Sequence, residues 1–78
     1  MGLKPIPTQM FKKFLKQIGC VYVRTTGSHE IWNKKDGSLP RPITFRGAKK
    51  EVPPTHIRTN LWTLEMSVEE FQNVIESL

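Results

Sequence analysis

An α+β fold is predicted for this chain, with a small antiparallel three-stranded sheet packed on helices in the order α-β-β-β-α-α. Three observations predict it. Apolar residues recur at helical spacing over residues 10–18. Three short runs rich in β-branched and aromatic residues follow, separated by Gly-containing turns. Two further helical patterns close the chain, the second opened by a capping box.

The first helix starts at Pro7-Thr8, with Thr8 as the expected N-cap. Met10, Phe11, Phe14, Leu15 and Ile18 share one face, Lys12, Lys13 and Lys16 lie mainly off it, and Gly19 reads as the left-handed stop. The first strand is expected over Cys20–Thr25, and Thr26-Gly27-Ser28 turns the chain into a return strand, His29–Asn33. Asp36-Gly37 signals a second turn. The third strand, Pro42–Phe45, is brief, because Pro40 and Pro42 restrict ladder bonding at its start. Ile31 and Trp32 must point to opposite sides of any regular strand, so alternation alone leaves open which side is core. A basic loop, residues 46–51, leads through Val52-Pro53-Pro54 into a helix over about residues 55–64 with Ile57, Leu61 and Leu64 as its stripe. Ser67-Val68-Glu69-Glu70 is a capping box, and Val68, Phe71, Val74, Ile75 and Leu78 line the last helix. Trp62 is expected in the core, Trp32 is open between core and surface, and Cys20 reads as a buried filler.

With 78 residues the chain is expected to form one domain, residues 1–78, with a small core. A single cysteine excludes an internal disulfide framework and a cysteine-rich zinc site. No run approaches the roughly 18 apolar residues of a membrane span, and Met1 to Lys4 lacks a signal-peptide core, so the expected location is the cytoplasm. Eleven of the twelve Lys/Arg lie in residues 1–50, against Glu30 and Asp36 alone. Residues 51–78 hold Arg58 against five glutamates. That asymmetry favours a polyanionic partner for the basic part.

Catalytic material is scarce. Neither His29 nor His56 sits in a metal-binding spacing, no glycine-rich phosphate loop exists, and the C-terminal carboxylates are explained by helix starts and solvent faces. Ser28 and His29 are adjacent and would point apart on a strand, which disfavours a nucleophile pair. Taken alone, a strand-end histidine is more often a surface or hydrogen-bonded residue than a catalyst. His29 stands out by position, after a flexible Gly27-Ser28 turn and near Arg24, Lys34, Lys35, Arg46, Lys49 and Lys50. Imidazole both takes and gives protons near neutral pH. RNA cleavage requires removal of the 2′-hydroxyl proton, attack on the neighbouring phosphate, and cations to offset the added negative charge. His56, early in a helix, reads as structural or surface.

A helix ending at Gly19, then Tyr22-Val23-Arg24-Thr25-Thr26-Gly27-Ser28-His29-Glu30-Ile31-Trp32, resembles the signature of the HicA-type toxin family, in which a strand ending in an arginine runs into Gly-Ser-His. The likeness spans about residues 8–78. It departs from the family pattern over residues 45–54, which lack the histidine often found near the third strand and carry Pro53-Pro54. The resemblance implies a fold like that of double-stranded-RNA-binding domains. It also implies a metal-independent, messenger-RNA-cleaving endoribonuclease toxin of a type II toxin–antitoxin system, with His29 catalytic and Gly27-Ser28 as the motif's turn. No cofactor is implied. The implied partner is a HicB-type antitoxin that covers the active surface and reaches operator DNA through its own DNA-binding element. Phosphate contacts are expected from Arg24, Ser28, Lys34, Lys35, Arg46, Lys49 and Lys50. The alternative readings are a non-catalytic RNA-binding module on the same basic surface and a degenerate toxin that only binds its antitoxin.

Overall fold

The computed structural model describes residues 3–78; Met1 and Gly2, part of the segment read above for a signal peptide, lie outside the described residues. The expected order is present, with two very short strands added. The elements are β1 (Ile6–Pro7), α1 (Thr8–Gln17), β2 (Cys20–Thr26), β3 (His29–Lys34), β4 (Ile43–Arg46), β5 (Glu51–Val52), α2 (Pro54–Leu64) and α3 (Val68–Glu76). Strands β2-β3-β4 form the antiparallel sheet, and β1 pairs with β5 through Ile6–Val52 and Pro7–Glu51.

Helix α1 buries Phe11, Phe14 and Leu15, as its periodicity requires. Thr8 is not the N-cap. Pro7 takes that position, and Thr8 is the first helical residue, buried and turned to the loop after β4. The β1–β5 pairing explains the exchange, since it brings residues 49–50 against the start of α1 and gives the threonine carbonyl partners there. At the other end Gly19, at φ 90°, closes the helix, its N–H donating to the Lys16 carbonyl at 3.1 Å.

Trp32 settles the orientation of the sheet. It is 3% exposed and joins Cys20, Ile43 and Phe45 on the face that meets the helices, so Ile31 belongs to the opposite face. Phe11 meets Phe45 edge-on at 5.1 Å, and Phe14 meets Phe71 of α3 at 4.7 Å; Ile57 and Leu61 of α2 complete one shared core. The capping box of α3 is formed, with Ser67 Oγ accepting from the Glu70 N–H at 3.0 Å and Glu70 Oε1 accepting from the Ser67 N–H at 3.2 Å.

Trp62 corrects the core expectation, because it is 86% exposed. Helix α2 turns Ile57, Asn60 and Leu61 inward, and a residue directly after an inward one is rotated by about 100°. Asn60 takes the inward position that a third apolar residue would otherwise hold. Its amide serves as a partner for the outer edge of β4, Nδ2 donating to the Thr44 carbonyl at 3.0 Å and Oδ1 accepting from the Thr44 N–H at 3.4 Å. Asn60→Ala is expected to cost about 1–3 kcal/mol by stranding both groups. A fall in the urea midpoint at unchanged slope checks this, and an unaltered midpoint would mean that water replaces the amide.

Candidate active site

The turn before β3 determines where His29 sits. Thr26 and His29 face each other across a two-residue loop in which Gly27 has φ 60° and Ser28 does not have positive φ. A hairpin with positive φ only at its first central residue calls for glycine there. His29 therefore begins β3 at the tip of the sheet, exposed, with Arg46 directly opposite on β4.

Strand alternation then sorts the faces. Glu30 and Trp32 point toward the helices, and His29 and Ile31 point away. Arg24 follows them because of an irregularity in β2. Tyr22 pairs with Trp32 and Arg24 with Ile31, so Val23 is an extra residue against β3. Such a bulge re-aims the chain that follows it. Tyr22 stays on the helix-facing side, edge-on to Trp32 at 6.1 Å and hydrogen-bonded to Thr25 Oγ1 at 2.7 Å, whereas Arg24 moves to the open face. Arg24, His29 and Arg46 thus share one surface.

Two anchors hold this end of the sheet. Glu30, next to His29, pairs with Lys12 of α1 at 3.0 Å and accepts from Trp32 Nε1 at 3.0 Å. Gly47 leaves room for it, since a Cβ there would overlap the Glu30 carboxylate. The second anchor is Thr8, whose Oγ1 donates to the Lys49 carbonyl at 2.6 Å and whose N–H donates to the Lys50 carbonyl at 2.8 Å. The Lys49 N–H in turn bonds the Arg46 carbonyl at 3.2 Å. The basic loop is thereby fixed beside His29.

Two adjoining clefts result. One, of about 140 Å³, is lined by His29, Thr44, Phe45, His56, Thr59 and Asn60. The other, of about 150 Å³, is lined by Arg46, Lys49, Glu51, Val52, Pro53 and His56. His56 belongs to both, and the positive end of the α2 dipole lies beside it. A larger hollow of about 620 Å³ between α2 and α3 includes Arg58, Trp62 and Met66 but neither histidine, so its size does not make it the site of proton chemistry.

Of the expected contact residues, Arg24, Ser28, Arg46, Lys49 and Lys50 are exposed around or beside this end of the sheet. Lys34 and Lys35 are elsewhere. They stand at the far end of β3, roughly 16 Å along the strand from His29, and Lys34 Nζ donates to the Ile18 carbonyl at 2.6 Å, closing the end of α1. His56, read from the sequence as structural or surface, lines the same cleft as His29 because α2 packs on β4. Cys20 is buried, and burial raises its thiol pKa, partly opposed by Lys34, which keeps it protonated and inert. Among the described residues, no three His, Cys, Asp or Glu side chains gather as a metal site would require.

A small α+β domain with a histidine at the tip of its sheet and cations around it is thus defined. The family model for the HicA toxin of bacterial toxin–antitoxin systems matches residues 9–62, from α1 into α2. The chain belongs to the HicA toxin family, and it is the toxin of a toxin–antitoxin pair. No curated protein matches it. Among the described residues no helix is long and apolar enough to cross a membrane.

Proposed function

We propose that the protein is a cytoplasmic, metal-independent endoribonuclease that cleaves messenger RNA, with His29 as the general base. The observation that carries this reading is the placement of an exposed imidazole at a cleft mouth, with Arg46 opposite it in the strand register and Arg24 on the same face. His29 removes the 2′-hydroxyl proton, and the freed oxygen attacks the adjacent phosphorus. Arg46 and Lys49 offset the charge that develops on the phosphoryl oxygens. Arg24, Ser28 and Lys50 hold neighbouring phosphates, and the exposed Lys35 meets a strand that continues along the sheet, while Lys34 stays committed to the end of α1. The antitoxin is of the HicB type. It covers this surface and links the pair to operator DNA through its own DNA-binding part.

The reading is tested with purified protein, long single-stranded RNA and excess chelator. Fragments ending in 2′,3′-cyclic phosphate and 5′-hydroxyl groups are expected. Intact RNA accompanied by salt-sensitive binding would instead identify a non-catalytic RNA-binding module. Intact RNA without binding would leave a degenerate toxin that engages only its antitoxin.

A further inference from the structure

His29 and His56 are 27 positions apart in the chain and occupy different elements, yet both line the same cleft. The sheet side of that cleft is formed by His29, Thr44 and Phe45, and the helix side by His56, Thr59 and Asn60. Contact between the two sides is fixed rather than incidental, since the buried Asn60 ties α2 to Thr44 through two hydrogen bonds. Asn60 lies four residues after His56, one helical turn along the same side of α2. At the other end of that turn the backbone N–H of His56 bonds the Pro53 carbonyl at 3.0 Å, which sets the start of the helix.

Cleavage of a ribose phosphodiester needs two proton transfers. One proton leaves the attacking 2′-oxygen, and another must reach the departing 5′-oxygen, on the opposite side of the phosphorus. A single imidazole at the sheet tip reaches one of these oxygens. We infer that His56 is the second catalytic residue, the general acid that protonates the 5′-oxygen, an assignment that rests on the ribonuclease reading of His29. The P–O2′ bond forms as His29 takes the 2′ proton, and the P–O5′ bond breaks as His56 gives its proton to O5′. The cyclic phosphate and the 5′-hydroxyl are the products, and exchange with water restores both rings. Arg46 and Lys49 line the adjoining cleft with His56, so cationic charge stands beside the phosphoryl group being transferred. Glu51 is the one carboxylate among the residues that line that same cleft.

The test compares two RNAs under identical conditions, one natural and one carrying sulfur in place of the bridging 5′-oxygen at the bond that the parent protein cuts. A thiolate leaves without being protonated, so an enzyme lacking only its acid recovers on the sulfur substrate. His56→Ala and His56→Gln are expected to lose about 10²–10⁴-fold on natural RNA and to come within about tenfold of the parent on the sulfur RNA. His29→Ala should be impaired on both. Equal losses on both substrates in the His56 variants, or no loss on natural RNA, would overturn the assignment in favour of a binding or surface role. Failure of the parent protein to cut either RNA removes the ribonuclease reading itself, and the acid assignment falls with it.

Discussion

His29→Ala is expected to fold like the parent protein and to lose RNA cleavage by about 10²–10⁴-fold, the usual cost of removing a general base. The position makes the experiment clean. The imidazole is exposed at the strand tip, and the features that build that tip belong to its neighbours: Gly27 in the turn, Glu30 clamped to Lys12 and Trp32, and Arg46 in register across the sheet. Truncation to a methyl group leaves all of these in place and opens no core cavity. A urea midpoint close to that of the parent, together with uncut RNA and relief of growth arrest in cells, is the expected set of results. Retained cleavage in a folded His29→Ala protein would remove this residue from the chemistry and leave the basic surface as a binding site only. The alanine variant should still engage the antitoxin, because the rest of the surface is unchanged.

The elements that could be read from the residues are those whose signals are local. The apolar spacing of Phe11, Phe14 and Leu15, the stop at Gly19, and the capping box at Ser67 each depend on side chains within one or two helical turns, and each is present in the fold. What could not be read depends on contacts between distant segments. Two-residue strands such as β1 and β5 carry no pattern, and without their pairing Thr8 looks like a cap rather than a tether for Lys49 and Lys50. Trp62 looks like core until Asn60 is seen to occupy an inward position, a polar choice that makes sense only beside the free edge of β4. The candidate site divides along the same line. Gly27-Ser28-His29 is visible in the sequence because the turn is local. The sharing of a face by Arg24 and His29 depends on one bulged residue, and the presence of His29 and His56 in one cleft depends on how a helix docks on a strand.

Phe14→Ala should abolish toxicity by a wholly different route, and comparison with Trp62→Ala exposes the reason. Phe14 is fully buried, edge-on to Phe71 at 4.7 Å and tilted against Phe11 at 5.7 Å, so its ring joins α1 to α3. Removing a buried phenyl group costs about 3–5 kcal/mol, part of it for the cavity left behind. A chain of this length holds roughly 4–12 kcal/mol in total, so the variant is expected to be largely or partly unfolded at growth temperature. It should lose RNA cleavage and antitoxin binding together, unlike His29→Ala, which keeps the second. Trp62→Ala removes a larger aromatic group, but from a position 86% exposed to solvent, and its stability should stay within about 0.5 kcal/mol of the parent. Urea unfolding of the two variants side by side measures both effects. Comparable destabilisation would mean that Trp62 contributes to the core after all, through the hollow it lines with Leu61 and Met66. Widely separated midpoints would place the stability of the domain in the Phe11–Phe14–Phe71 cluster, leaving the outer face of α2 free of any structural duty.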